Sequence, residues 1–176
     1  MTWLRRNLAA LIVIVLALPA LAFVLVGVPL LEGAGPDEIT VVKQGEPLEV
    51  SGYTITLTAT EEFVGTGTGP GTNNIPLGTS IIGALFDAEP GDNPEEASCE
   101  TDLTIRAGAT ERLWPTVVSP TEFDYAVGED RTTVCLFDGD AFELEAVFLA
   151  PTGVYDDATI DLSVGFANYR FVPDRN

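Results

Sequence analysis

The chain has 176 residues, 46% of them hydrophobic, and carries 27 acidic residues against 8 basic ones, for a formal net charge of −19. A field this negative repels nucleic acid and anionic lipid surfaces, so we expect neither as a binding partner. The chain has no histidine, which excludes Ser-His-Asp and Cys-His catalysis and any histidine-ligated metal centre.

The first element is an apolar run of 24 residues from Leu8 to Leu31, which follows Arg5 and Arg6 and ends before Glu32. As a helix it is roughly 36 Å long, enough to cross a hydrocarbon core of about 30 Å. All the acidic residues follow it, and the positive-inside rule then keeps the short N-terminus in the cytoplasm. We therefore predict a cytoplasmic end at 1–7, a transmembrane signal anchor at 8–31 and a linker at 32–38.

The alternative to an anchor is a cleaved signal peptide. Ala20-Leu21-Ala22 has the small-x-small form of a cleavage site. The apolar run continues past this site from Phe23 to Leu31, and a mature protein that began with these residues would be prone to aggregate in water. The sequence thus favours a retained anchor, with the remainder of the chain outside the cell.

After the linker the pattern changes to a period of two. Tyr53–Thr60 alternates apolar residues with threonine, as is typical of a half-buried strand, and Ser51-Gly52 predicts a tight turn to the preceding arm at Pro47–Val50. Further strands are predicted at Thr79–Ala88, Thr101–Ala107, Glu111–Val118, Thr132–Phe137, Phe142–Phe148, Ala158–Val164 and Ala167–Val172.

Three of these segments have a distinctive character. Thr79–Ala88 is a continuous apolar run, which predicts a strand buried on both faces. Pro115 predicts that its segment is an edge strand or contains a bulge. In the segment that begins at Phe142, Glu143 and Glu145 alternate with apolar residues, so we expect both carboxylates to face water. With no helical period after residue 32, the fold class is all-β, an antiparallel sandwich over 39–176 that follows one N-terminal transmembrane helix.

Cys99 and Cys135 are the two cysteines, and in an oxidising compartment an even pair predicts a disulfide. The spacing is not that of a CxxC pair, and no histidine is available to complete a zinc site. A structural disulfide is therefore the favoured interpretation.

Two loops are candidates for function. The segment 87–96 (DAEPGDNPEE) offers Asp87, Asp92 and Glu95 as oxygen ligands for a divalent cation, although it lacks the DxDxDG register of a calcium loop. A solvated acidic turn is the simpler interpretation. The uncharged segment 65–78 is either filler or a contact surface, and no cofactor is expected.

Glu143 and Glu145 also form the one carboxylate pair considered for catalysis. Paired carboxylates hydrolyse glycosides when they are held about 5–10 Å apart. Acids on the water-facing side of a strand are common, however, and a domain of this size leaves little room for a substrate cleft. A small carboxylate-based hydrolase is therefore a minor alternative.

The segments WLRR, QGEPLEVSGYTITLTATE and FELEAVFLAP, together with the buried strand and the cysteine pair between them, resemble uncharacterised membrane-anchored immunoglobulin-like ectodomain proteins of actinobacteria. The layout is also similar to that of immunoglobulin-like domains in bacterial surface lipoproteins. The resemblance implies an immunoglobulin-like β-sandwich outside the cell and supplies no catalytic residue. The chain departs from these proteins in two features. No lipid-accepting cysteine follows the apolar run, and Trp114 lies on the segment that Pro115 breaks rather than in a regular strand between the paired cysteines.

Together these features predict a single-pass, membrane-anchored extracellular binding or accessory module without catalytic activity. Its expected partner, beyond the membrane that its own helix crosses, is another membrane or envelope protein. The alternatives are a domain that binds divalent cations through Asp87, Asp92 and Glu95, and the small hydrolase.

Overall fold

Alternating sequence and frequent turn residues produce a domain built of strands. The computed structural model describes residues 7, 17, 39–68, 73–107, 110–117 and 119–175. The strands in this part of the chain are β1 (Thr40–Lys43), β2 (Leu48–Val50), β3 (Tyr53–Val64), β4 (Thr79–Pro90), β5 (Ala97–Ala107), β6 (Thr110–Pro115), β7 (Arg131–Thr132), β8 (Leu136–Phe137), β9 (Phe142–Pro151), β10 (Ala158–Val164) and β11 (Ala167–Val172). Short 3₁₀ helices lie at Pro120–Phe123 and Tyr155–Asp157.

The chain divides into two units, Met1–Glu38 and Ile39–Asn176, and all of these strands belong to the second. The predicted cytoplasmic end, transmembrane helix and linker fall outside the described residues, apart from Asn7 and Ala17. In the part of the chain that the structure describes, no helix has the length and apolar character needed to span a membrane.

The strands form two sheets that enclose one hydrophobic core, so the predicted β-sandwich is confirmed. We call them sheet A, with the order β1-β11-β10-β5-β6 and β8 also paired to β5, and sheet B, with the order β2-β3-β4-β9-β7. Tyr53 of sheet B stacks on Phe137 of sheet A with ring centroids 4.6 Å apart, and Phe86 meets Phe171 edge-on at 5.2 Å. These aromatic contacts join the two sheets across the core.

The expectation of a purely antiparallel fold is wrong, because both sheets are mixed. β1 runs parallel to β11, and β7 runs parallel to β9, while the other strand pairs are antiparallel. Turn signals in a sequence report hairpins between neighbouring segments. The first and last strands of the domain carry no such signal for each other, so their direction is set by the tertiary fold alone.

The predicted first hairpin is confirmed. Ser51 and Gly52 have φ of 51° and 75°, the positive values that a two-residue type I′ turn requires at both central positions. A side chain at position 52 would also collide with Asn93, since its Cβ would lie 2.2 Å from the Asn93 carbonyl oxygen. β3 then continues four residues beyond the predicted end, with a register shift between Leu57 and Ala59.

The prediction of one continuous strand at Thr132–Phe137 is wrong. β7 pairs with β9 in sheet B, whereas β8 pairs with β5 in sheet A, so the chain crosses between the sheets at residues 133–135. The amide of Val134 donates to the Thr132 hydroxyl at 3.0 Å, a local bond that competes with strand pairing. Cys135 therefore lies in the crossing rather than in a strand.

The segment after β5 confirms the prediction of an edge strand that is broken at Pro115. β6 is the last strand of sheet A and ends at Pro115. The next residue, Thr116, forms an isolated bridge with Phe148 of sheet B. The break at proline thus lets the chain leave one sheet for the other.

Candidate functional site

The outer face of sheet B is covered by the chain itself, which explains why β4 is buried on both faces, as predicted. Residues 73–78 and 119–131 lie over this face. Beneath them is a second hydrophobic cluster, separate from the main core, made by Ile75, Ile81 and Val147 with the partly buried Phe123, Tyr125 and Leu149. We call this covered region the outer site.

Glu145 of β9 lies at the centre of the outer site. Its side chain is 6% exposed and accepts three hydrogen bonds, from the Tyr125 hydroxyl at 2.6 Å, the Arg131 guanidinium at 3.1 Å and the Gly128 amide at 3.2 Å. The expectation that Glu145 faces water is therefore wrong. Alternation places it on the outer face as predicted, but the segment that carries these three donors folds over that face.

Glu143, two residues earlier on the same face, remains half-exposed and accepts a 3.1 Å bond from Nε of Arg131. Arg131 therefore bridges the two glutamates that the sequence proposed as a catalytic pair. Its own position is fixed by β7, which pairs Arg131 with Glu143 in parallel register. A single guanidinium thus neutralises much of the charge on the pair.

The electrostatics of the outer site keep Glu145 ionised. Burial raises the pKa of Glu145, but the hydrogen bonds from Tyr125, Gly128 and Arg131 outweigh this effect and hold the pKa below its usual value. Burial, and then the hydrogen bond to Glu145, raise the pKa of Tyr125. The phenol therefore stays protonated as a donor and the carboxylate stays charged as an acceptor.

The space beside these groups is small. A cavity of about 110 Å³ is bordered by Glu61, Gly83, Tyr125, Arg131 and Glu145, well below the 300–1,000 Å³ of ordinary ligand pockets. Gly83 has a specific role here, because a Cβ at this position would lie 2.6 Å from the Tyr125 hydroxyl oxygen. The absence of a side chain at residue 83 is what lets Tyr125 reach Glu145.

A shallower hollow of about 340 Å³ adjoins this cavity, with Phe63, Ile75 and Phe123 among its walls. Phe63 meets Tyr125 edge-on, with ring centroids 5.4 Å apart. The donors of Tyr125 and Arg131 at its floor are already bonded to the two glutamates. The walls of the hollow are thus mixed, since Glu61, Asn73 and Asp124 also border it, and the groups at its base are ion-paired.

The three residues proposed as cation ligands are not brought together as a ligand set. Asp87 lies within β4, which extends to Pro90, and pairs with Glu143, whereas Asp92 and Glu95 lie exposed in the connection to β5. Burial and the charge of Glu143 raise the pKa of Asp87. Among the residues that the structure describes, no group of three or more acidic or cysteine side chains is arranged to hold a metal ion.

A second polar cluster, absent from the sequence-based prediction, lies on the outer face of sheet A. Arg170 of β11 is 10% exposed and binds Asp161 through two contacts of 2.7 Å. It also contacts both carboxylate oxygens of Glu111 at 2.9 and 3.2 Å. Thr104 donates to Asp161 at 2.8 Å, and Arg106 binds Glu111 at 2.8 Å.

This cluster perturbs two carboxylates in opposite directions. Hydrogen bonds from Arg170 and then Arg106 lower the pKa of Glu111 to about 2. Asp102 lies next to the cluster and has no guanidinium partner among the residues that the structure describes. Burial, followed by the charges of Glu100 and Asp161, raises the pKa of Asp102. One feature of the sequence could have predicted this cluster. Arginine is scarce in this acidic chain, so each guanidinium is expected to attract several carboxylates.

The predicted disulfide between Cys99 and Cys135 is confirmed, with the two Cα atoms 5.1 Å apart. The amide of Cys99 also donates to the carbonyl of Cys135 at 3.2 Å. The bond fastens β5 of sheet A to the crossing segment at the place where β6 and β8 diverge. A groove of about 570 Å³ lies there, bordered by both cysteines, Thr101 and Val134.

No protein-family model matches the chain, and no curated protein sequence matches it. Three crystal structures are similar at 13% identity: the yjhA protein of Bacillus subtilis (TM-score 0.49, 75% of this chain and 99% of that one), an uncharacterised β-sandwich protein of Clostridium difficile (0.43, 78% and 95%) and a conserved hypothetical protein of Bacillus anthracis (0.46, 68% and 86%). Similarity of this degree assigns neither a family nor an activity to the chain.

Proposed function

We propose that this protein is a single-pass, membrane-anchored extracellular module that binds or assists another membrane or envelope protein and has no catalytic activity. Its sandwich is of the immunoglobulin-like type, as in the membrane-anchored ectodomains of actinobacteria that its sequence resembles. The anchor rests on the apolar run at 8–31 and on the confinement of all acidic residues to the chain after it.

The proposal that the protein has no catalytic activity rests mainly on the three hydrogen bonds that Glu145 accepts. A carboxylic acid that donates a proton in catalysis needs a raised pKa, and Glu145 has a lowered one because three donors stabilise its charge. Arg170 and Glu111 on the other sheet are likewise committed to ion pairs. The lowered pKa of Glu145 and its ion pair with Arg131 argue against Glu145 as the proton donor of a hydrolase that pairs it with Glu143, which supports a scaffold.

Cross-linking in native membranes tests the proposed partnership. The full-length protein should give a discrete adduct with a second membrane or envelope protein. A matched variant that lacks residues 1–31, exported by a cleavable signal, should lose the adduct because the anchor no longer holds the two proteins in one plane. Recovery of monomer alone from the full-length protein, in repeated trials, would refute the proposal.

Divalent-cation binding is the second candidate, and one observation favours it. Asp87, Glu89 and Glu143 crowd like charges on one face, and the pKa of Asp87 is raised as a result, after the effect of burial. A bound cation would relieve this repulsion. Calorimetric titration with calcium tests this candidate: no heat at millimolar calcium, or heat that persists after Asp87→Asn, Glu89→Gln and Glu143→Gln, rejects a cation site at these residues.

A further inference from the structure

Phe166 is the most exposed large hydrophobic residue among those that the structure describes, at 92% of its full accessible area. It lies in the two-residue turn between β10 and β11, after Gly165 with φ of 58°. A type II′ hairpin turn takes glycine at its first central position and accepts any residue at the second. The turn geometry therefore explains Gly165 but gives no reason for an aromatic ring at position 166.

The composition around the ring is also unusual for this chain. Leu162–Tyr169 carries no charge, although 27 of 176 residues are acidic, and the nearest charges in sequence are Asp161 and Arg170. These two side chains bind each other on the outer face of sheet A. The tip of the hairpin is thus an uncharged projection on a strongly acidic domain.

The strand register places this tip beside the point where the chain enters the domain. β1 is parallel to β11, and Thr40 pairs with Tyr169, three residues after Phe166. At the usual strand spacing and rise, the Cα atoms of residues 40 and 166 are within roughly 10–15 Å of each other. Ile39, the first residue of the described domain, is itself 37% exposed.

The described domain has two ends, and Phe166 and Ile39 lie at the same one. The opposite end of the sandwich, which carries Leu77 at 77% exposure, is farther from Thr40 by the length of the strands. Phe166 therefore projects from the end at which the chain enters the domain, and Leu77 projects from the opposite end.

We propose that Phe166 inserts into the headgroup region of a zwitterionic outer leaflet. This inference rests on the membrane anchor in the proposed function. A phenyl ring that enters the boundary between headgroups and acyl chains buries apolar area, as Phe, Trp and Leu side chains of interfacial segments do. The contact is apolar rather than electrostatic, since Asp92 and Glu95, in the connection from β4 to β5, repel an anionic surface.

Photo-cross-linking in vesicles of defined lipid tests the contact. The full-length chain is reconstituted in phosphatidylcholine vesicles with the photoreactive amino acid p-benzoylphenylalanine in place of Phe166, or in place of Leu77 as the matched control. Both sites are exposed, and retention of the Cys99–Cys135 disulfide checks that each variant folds. After irradiation, mass spectrometry should find lipid adducts severalfold more often at position 166 than at position 77, and phosphatidylglycerol should reduce their yield.

The possible results separate the contact from the anchor. Protein that stays with the vesicles through an alkaline wash, yet gives no more lipid adducts at position 166 than at position 77, overturns the contact and leaves the anchor intact. Cross-links from position 166 to a second copy of the chain also overturn it, because the occupant is then a protein. Protein that the alkaline wash removes refutes the anchor and the contact together.

Discussion

The hydroxyl of Tyr125 donates a 2.6 Å hydrogen bond to the carboxylate of Glu145, and this bond joins the segment over sheet B to the strand beneath it. It lies at the edge of the second hydrophobic cluster, where Tyr125 packs near Ile81 and Val147. The bond satisfies a buried charge that the apolar surroundings would otherwise penalise. Its loss is therefore expected to weaken the whole outer site.

We expect Tyr125→Phe to destabilise the protein by about 1–3 kcal/mol, because it removes one of three donors from a buried charge. Urea unfolding measures the change. Tyr169→Phe is the matched control, since the structure gives the Tyr169 hydroxyl no hydrogen bond to a described residue, and it should cost much less. If Tyr125→Phe has no larger effect than this control, the bond does not stabilise the fold.

A mutation at Gly83, in the strand beneath Tyr125, tests whether Tyr125 needs this close approach to reach Glu145. Gly83→Ala places a methyl group 2.6 Å from the Tyr125 hydroxyl oxygen, so Tyr125 must move away from Glu145. Overpacking of this kind costs typically about 1–3 kcal/mol. In the background of Tyr125→Phe the cost should fall, because the clashing oxygen is gone, and equal costs in both backgrounds would contradict the geometry.

Stability should fall in acid through Glu111. Its pKa is lowered from 4.5 to about 2 in the folded state, so between these values the unfolded chain binds more protons than the native protein. The stabilisation is fully present above about pH 4.5 and disappears as the pH falls through about 2. Glu111→Gln should therefore lose less stability across this window, while exposed Glu96→Gln should follow the wild type. Parallel pH curves for wild type and Glu111→Gln would contradict the prediction.

Asp102 should behave in the opposite way. Its raised pKa, caused by burial and then by Glu100 and Asp161, means that the native state binds its proton more readily than the unfolded chain. Its charged form therefore costs stability at neutral pH, and this cost disappears as the pH falls through its folded pKa toward 3.8. Asp102→Asn should raise the unfolding midpoint at pH 7 and show little gain near pH 3. Exposed Glu129→Gln, which removes the same charge elsewhere, should give a smaller gain.

The disulfide should contribute about 2–5 kcal/mol, as is usual for small secreted domains. The double variant Cys99→Ser with Cys135→Ser should unfold at a correspondingly lower temperature. A reducing agent should lower the midpoint of the wild type and leave that of the double variant unchanged. An equal response of both proteins to the reductant would show that the bond does not contribute.

Local patterns in the sequence predicted the strands well where partners are neighbours in the chain. The alternation in Tyr53–Thr60 and the Ser51-Gly52 turn specify one hairpin, and the structure contains it. They predicted poorly where the outcome depends on distant segments. Glu145 alternates like a water-facing residue and is buried only because residues 119–131 fold over it, and Thr132–Phe137 looks like one strand although its two halves belong to different sheets.

The parallel pairing of β1 with β11 has the same origin, because it joins the two ends of the domain and no local turn encodes it. The contact of Arg170 with Glu111 was likewise invisible, since β6, which carries Glu111, is distant in sequence from β11 and is separated from it in sheet A by β10 and β5. The disulfide was predictable because the even cysteine count is a property of the whole chain and needs no knowledge of the strand pairing.

The mass of the intact protein, isolated from the membrane fraction without reductant, tests the central claim most directly. The account predicts a chain that retains residues 1–31 and has a mass two hydrogens below that of the reduced form, since the anchor is kept and Cys99 is bonded to Cys135 in an oxidising compartment. A protein that begins at Phe23 would contradict the anchor. Two free thiols in a full-length chain would contradict the external location of the sandwich.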